Sequence, residues 1–129
     1  MSEKLISIVN ELYAALPTGD WATYEAHIHP DFRIVESDDL PIAGTYHGMK
    51  GFLQLIEKAF GLFSDFEPTA GATCAGEDHV MVWVDIKLTG RASNKTINTQ
   101  LIEVFKFEGD KLIEIRPFYF DAALVSSIV

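Results

Sequence analysis

Hydrophobic positions along the chain follow two periods, helical in the first half and alternating in the second. Leu5, Val9, Leu12 and Leu16 recur three to four apart, with Ile6, Ile8 and Tyr13 widening the stripe. This predicts a helix over 3–16, capped by Ser2 and stopped by Pro17. Thr18-Gly19-Asp20 reads as a turn, with Asp20 capping a second helix over 21–28 that Pro30 ends. Phe32, Ile34 and Glu36 share one face of a short strand over 32–37. Residues 38–48 read as loop, punctuated by Pro41, Gly44 and Gly48. A third helix over 49–60 turns Phe52, Leu55, Ile56, Ala59 and Phe60 inward, with Gly61 as its stop.

From about Asp65 the period becomes that of strands. The stretch 66–75 is weakly patterned, and Glu77-Asp78-His79 turns the chain. Over 80–89, Val80, Val82, Val84, Ile86 and Leu88 alternate with Met81, Trp83, Asp85 and Lys87. Then Ile97, Thr99, Leu101, Glu103, Phe105 and Phe107 occupy one face, Glu108-Gly109-Asp110 turns, and 111–120 is rich in β-branched and aromatic residues. This is a long hairpin with one carboxylate, Glu103, in its apolar face. Asp121 opens a short terminal segment. Helices followed by a meander give an α+β class, in one domain spanning 1–129. The 80–89 strand is apolar on both faces. With one face on the helices, the row Val80, Val82, Val84 needs another cover, and a homodimer supplies it.

Charge and composition narrow the partners. The net charge of −9 opposes binding to nucleic-acid phosphates or to an anionic membrane surface. No apolar run approaches membrane-spanning length, and the first residues lack the features of a signal peptide. The single cysteine, Cys74, fits a reducing, cytoplasmic setting. His27, His29 and His47 have no metal-ligand spacing, so no metal or other cofactor is expected. A small apolar ligand or another protein remains as partner.

Four stretches, LYAALPTGDW, HPDFRIVES, LPIAGTYHG and IEVFKFEGDKLIEI followed by YFDAAL, occur in an order that resembles the NTF2-like superfamily, in its SnoaL-like and ketosteroid-isomerase-like branch. The resemblance implies a cone: a strongly curved, mostly antiparallel sheet with three N-terminal helices on its concave side, around an apolar pocket. Ketosteroid isomerases of this fold pair a carboxylate base with a protonated carboxyl and a tyrosine. The base then falls on Glu36 and the protonated carboxyl on Glu103, while the tyrosine falls on Leu12, one residue before Tyr13. In the limonene-epoxide-hydrolase branch an Asp–Arg–Asp group holds water. Its first Asp matches Asp85, but its Arg falls on Trp83 and its second Asp near Pro117 or Phe118. SnoaL-type cyclases use an Asp that meets the same Pro117–Phe118 stretch unless Asp121 substitutes.

The expected function is therefore binding of a small molecule, with isomerisation beside a carbonyl as the chemistry best suited to two carboxyls without a cofactor. Glu36, Glu103 and Asp85 are the candidate acid–base residues. Leu12, Tyr13, Phe52, Ile56, Trp83, Leu101, Phe105 and Phe118 are the candidate pocket wall. Glu103 is expected neutral in its apolar face and Glu36 ionised at a solvated strand end. The competing role for Glu103 is an ion pair with Arg116. The alternatives in function are a non-catalytic carrier or sensor of an apolar ligand, or a protein-interaction module of the nuclear-transport-factor type.

Overall fold

The computed structural model describes residues 2–129. Helix α1 (Ser2–Ala15) buries Leu5, Ile8, Val9, Leu12 and Ala15 along one stripe. Ser2 lies inside its first turn, and its hydroxyl donates to the Gly76 carbonyl rather than capping the helix. Leu16–Thr18 tighten into a 3₁₀ turn, with Pro17 barring a longer helix and Gly19 at φ 67 reversing the chain. Asp20 caps α2 (Trp21–His27), its side chain accepting from Thr23 N–H at 3.3 Å. The chain passes straight from α2 into β1 (Ile28–Glu36), four residues earlier than the pattern predicts. Pro30 does not delay the strand, because it lies where the ladder to the next strand is interrupted and no N–H is required.

The supposed loop contains a short strand, β2 (Gly44–His47), paired antiparallel with the end of β1. Four residues with one glycine are too few to display alternation. Helix α3 (Gly48–Leu62) includes Gly61 in its last turn and continues directly into β3 (Phe63–Ala75). Strands β4 (His79–Gly90), β5 (Thr96–Glu108) and β6 (Lys111–Tyr119) complete the meander, and α4 (Ala122–Ser127) closes the chain. Asp121 caps α4 by accepting from Leu124 N–H at 3.0 Å. The six strands form one sheet in the order β2-β1-β6-β5-β4-β3. All neighbours are antiparallel except β1 and β6.

The core fixes which face of the sheet is inside. Val80, Val82, Val84, Ile86 and Leu88 are 0–3% exposed and form one core with Leu5, Val9, Leu12 and Phe32. The expected dimer face is thus the helix-covered face. Met81, Trp83 and Asp85 are exposed on the opposite side. The inner row is wholly apolar, whereas the outer row adds Asp85 and Lys87 to Met81 and Trp83, so the inward parity goes to the former.

Gly90 ends β4 where α4 docks. A Cβ there would overlap the Ile128 carbonyl oxygen and stand 2.7 Å from Ser93 Oγ, which itself donates to that carbonyl at 2.5 Å. Gly90→Ala is therefore expected to undock the C-terminal helix and cost about 1–3 kcal/mol, as overpacking does. Thermal unfolding and limited proteolysis after Asp121 measure this. An unchanged midpoint with an intact C-terminus would contradict it.

Candidate functional site

Between the helices and the inner face of the sheet lies a cavity of about 630 Å³. Its walls come from α1, α2, α3 and five strands, and they are largely apolar. Of the expected wall residues, Leu12, Tyr13, Phe52, Ile56, Leu101 and Phe105 line it. Phe60, 60% exposed at the end of α3, also borders it rather than packing inward. Two carboxyl groups, Glu36 and Glu103, enter this space, as strand parity anticipates.

Asp85 and Trp83 do not. Both stand on the outer face of β4, opposite Gln100 and Ile102. Phe118 is likewise outside, 56% exposed. A register shift explains it. Lys106 pairs with Glu114 but Phe107 pairs with Leu112, so β6 carries one extra residue at Ile113. A bulge of one residue inverts every side chain beyond it. Ile115, Pro117 and Tyr119 consequently face the cavity, and Arg116 and Phe118 face out. Tyr119 is the site residue that sequence reasoning misses. Its register opposite Leu101 would have revealed it, had the bulge been visible.

Glu103 sits on β5 between Val82 of β4 and Pro117 of β6. Tyr13 reaches down from α1 and donates its hydroxyl to Glu103 Oε1 at 2.5 Å. The Tyr13 ring is held edge-on to Phe105, 5.7 Å between centroids. The position one residue before Tyr13, Leu12, is buried in the core at 1% exposure. Position 13, and not position 12, brings a phenol onto Glu103. Burial raises the Glu103 carboxyl above the usual range, and the Tyr13 hydrogen bond opposes that only in part. Arg116 gives no compensation. It bonds Glu114 at 3.2 Å on the outer face, where Glu114 also holds Arg33 at 3.0 Å.

Glu36 ends β1, but it is not solvated. It is 6% exposed, and its Oε1 has no hydrogen-bond partner. Burial, and then the proximity of Glu103, raise its carboxyl from 4.5 to about 8. The expectation of an ionised Glu36 at neutral pH is thereby corrected. Asp38 and Asp39 follow in the chain, but β1 carries the Glu36 side chain inward with Phe32 and Ile34. The β1–β6 ladder ends at Ile34 and Ile115, and Pro117 has no N–H to extend it. Past that end, a smaller outer pocket lined by Ser37, Asp38, Asp39 and Arg116 meets the same Glu36, Pro117 and Tyr119.

Three phenols complete the polar set. Tyr24 donates to the Leu12 carbonyl at 3.0 Å and is structural. Burial, then Glu36 and Glu103, raise the Tyr119 phenol well above its ordinary range. Burial and Glu103 do the same to Tyr13. Among the described residues lining the cavity there is no Lys, Arg or His. The arrangement combines two proton-holding carboxyls of different surroundings with phenol donors in an apolar chamber. Such a set is chemically able to hold and pass on protons.

The profile of the SnoaL-like domain matches residues 9–115. No functionally curated protein sequence matches significantly. Among solved structures, an NTF2-like protein from Burkholderia pseudomallei is similar over 100% of this chain and 99% of its own, at 18% identity and a TM-score of 0.86. An NTF2-like protein from Burkholderia thailandensis is similar over 99% and 97%, at 22% identity and a TM-score of 0.86. A protein from Jannaschia sp. CCS1, put forward as a SnoaL-like polyketide cyclase, is similar over 99% and 93%, at 15% identity and a TM-score of 0.83. At these identities the likeness is one of fold. No helix among the described residues is long and apolar enough to cross a membrane.

Proposed function

Because this chain belongs to the SnoaL-like domain family, we propose that its cavity binds a small apolar carbonyl compound and moves a proton on it, as a cofactor-independent isomerase. The observation that carries this is the pair of buried carboxyls with unequal partners: Glu103 hydrogen-bonded by Tyr13, Glu36 with a free oxygen. Glu36, as carboxylate, removes a proton from the carbon beside the carbonyl. The electron pair of that C–H bond moves toward the carbonyl oxygen, which becomes an enolate. Glu103, as neutral acid, donates a hydrogen bond to that oxygen through the proton on Oε2, while Tyr13 holds Oε1. Glu36 then returns the proton to a different carbon, the carbonyl re-forms, and no co-reactant is consumed. Asp85 has no part in this reading, because it stands on the other side of the sheet.

The base is active only when ionised, so turnover rises with pH through about 8. A panel of β,γ-unsaturated cyclic ketones in deuterated buffer tests this by NMR. The double bond moves into conjugation with the carbonyl, with any solvent deuterium at the reprotonated γ carbon, faster at pH 8.5 than at 6.5, and Glu36→Gln abolishes the effect. Tight binding of such ketones without isomerisation would replace the enzyme by a carrier of the same ligand class.

We also propose that two copies associate through the outer sheet face. Trp83, Ile102 and Phe118 stand in register across β4, β5 and β6, beside Met81. Trp83, Phe118 and Met81 are 46%, 56% and 43% exposed, an apolar row that a second copy would cover. Sedimentation at micromolar concentration is expected to give a dimer, and Trp83→Glu a folded monomer. A monomer before substitution would overturn the association. The cytoplasmic setting suggested by the lone Cys74, which is exposed and unpaired, belongs with this proposal.

A further inference from the structure

We propose that the cavity is also a site for lipophilic amines, bound as ammonium ions on Glu36 with their ring systems against the aromatic wall. The lining holds two carboxyls able to become anions, and no Lys, Arg or His among the described residues. Glu36 Oε1 is an acceptor with no donor, in a residue that is 6% exposed. An unpaired buried carboxyl oxygen is costly, and an N⁺–H donor relieves it better than any neutral group. Trp21, Tyr24 and Phe52 pack mutually, with centroids 4.9–5.8 Å apart, in the same wall. Their apolar surface suits the ring system that an ammonium on Glu36 would carry. A carboxylate ligand finds no cation in the lining to pair with.

The groups facing Glu36 decide the pH behaviour. Glu103 from β5 and Tyr119 from β6 face it inside, and Asp38, Asp39 and Arg116 line the outer pocket that it also borders. Arg116 is engaged by Glu114, so the ammonium meets no competing cation inside. Glu36 carries its proton up to about pH 8. Below that, binding an ammonium must release one proton, and affinity gains about tenfold per pH unit. The gain stops near 8, and affinity falls again once the amine itself loses its charge. A carbonyl or alcohol ligand, which requires no ionised Glu36, lacks this rise. The inference shares with the isomerase reading only the premise that the cavity holds a ligand. It does not need catalysis.

Titration calorimetry with 2-naphthylmethylamine and 2-naphthylmethanol, matched in ring system, tests this from pH 5.5 to 9. The amine is expected to bind about tenfold more tightly with each unit between 6 and 8, and the alcohol to show no such gain. Glu36→Gln should remove the slope for the amine and weaken it at least tenfold at pH 8, while the alcohol still binds and reports an intact cavity. An amine no tighter than the alcohol at pH 8, or a slope that survives in Glu36→Gln, would overturn the proposal. Amine binding without ketone isomerisation would leave it standing and remove the isomerase reading instead.

Discussion

Glu36→Gln is expected to stabilise the protein strongly above pH 8 and to change little near pH 4. In the native protein the carboxyl is enclosed at the end of β1, with one oxygen unpaired and Glu103 nearby. Its proton is held up to about pH 8, against 4.5 in an unfolded chain. Between those values the unfolded state releases the proton and the native state keeps it. The native state then binds more protons, so stability falls as pH rises. The favourable contribution is complete below 4.5 and is lost as pH passes through 8. Each unit of difference is worth about 1.4 kcal/mol, so the loss is on the order of 5 kcal/mol. That is comparable to the whole stability of an ordinary domain, roughly 5–15 kcal/mol. Glutamine has the same shape and no proton to lose, so the variant escapes the penalty. Glu103 is shifted in the same direction, and its share of the slope persists in the variant. Urea unfolding at pH 4.5, 6, 7.5 and 9 measures the difference. Parallel stability curves for the two proteins would show that Glu36 is solvated. A side chain this unfavourable to stability, with a shape-matched replacement one atom away, is what an active or binding site accumulates.

The pattern of the chain gave the site in proportion to how locally each residue is determined. Glu103 and Glu36 were assignable because each lies on an unbroken alternation with buried neighbours: Leu101 and Phe105, Phe32 and Ile34. Tyr119 and Phe118 were exchanged because parity on β6 depends on a bulge at Ile113, and that bulge is a property of pairing with β5. The two faces of β4 were exchanged for another reason. The resemblance places Asp85 in the pocket, but its row also carries Lys87, while Val80, Val82, Val84, Ile86 and Leu88 form a wholly apolar row that takes the inside. The ionisation of Glu36 is not legible from its acidic sequence neighbours, because Asp38 and Asp39 lie beyond the strand end on the outer-pocket side. Proximity in sequence says little about solvent once a strand sends alternate side chains to opposite faces. Short β2 escaped notice because four residues carry no measurable period.

Glu103→Gln is expected to reduce turnover on the proposed reaction by a factor on the order of 10²–10³, the usual loss for one oxyanion donor. Tyr13→Phe is expected to act through Glu103. The phenylalanine ring keeps the edge contact with Phe105, so the fold of α1 against β5 is retained. What disappears is the hydroxyl bonded to Glu103 Oε1 at 2.5 Å. That bond favours the charged carboxylate, and burial opposes it. Its removal therefore raises the Glu103 carboxyl further and makes it a weaker donor to an enolate. Turnover falls through kcat, with KM nearly unchanged, because the interaction strengthens only as the enolate forms. Carboxyl-carbon NMR separates this from a packing defect. The Glu103 midpoint should lie above the unperturbed glutamate value in the native protein and move further upward in Tyr13→Phe, whereas a loosened core would let water in and move it downward. A native midpoint below about 5, near the unperturbed glutamate value, would leave Glu103 charged beside Tyr13. It would then be a structural anion, and the cavity would keep Glu36 as its sole proton-transfer group.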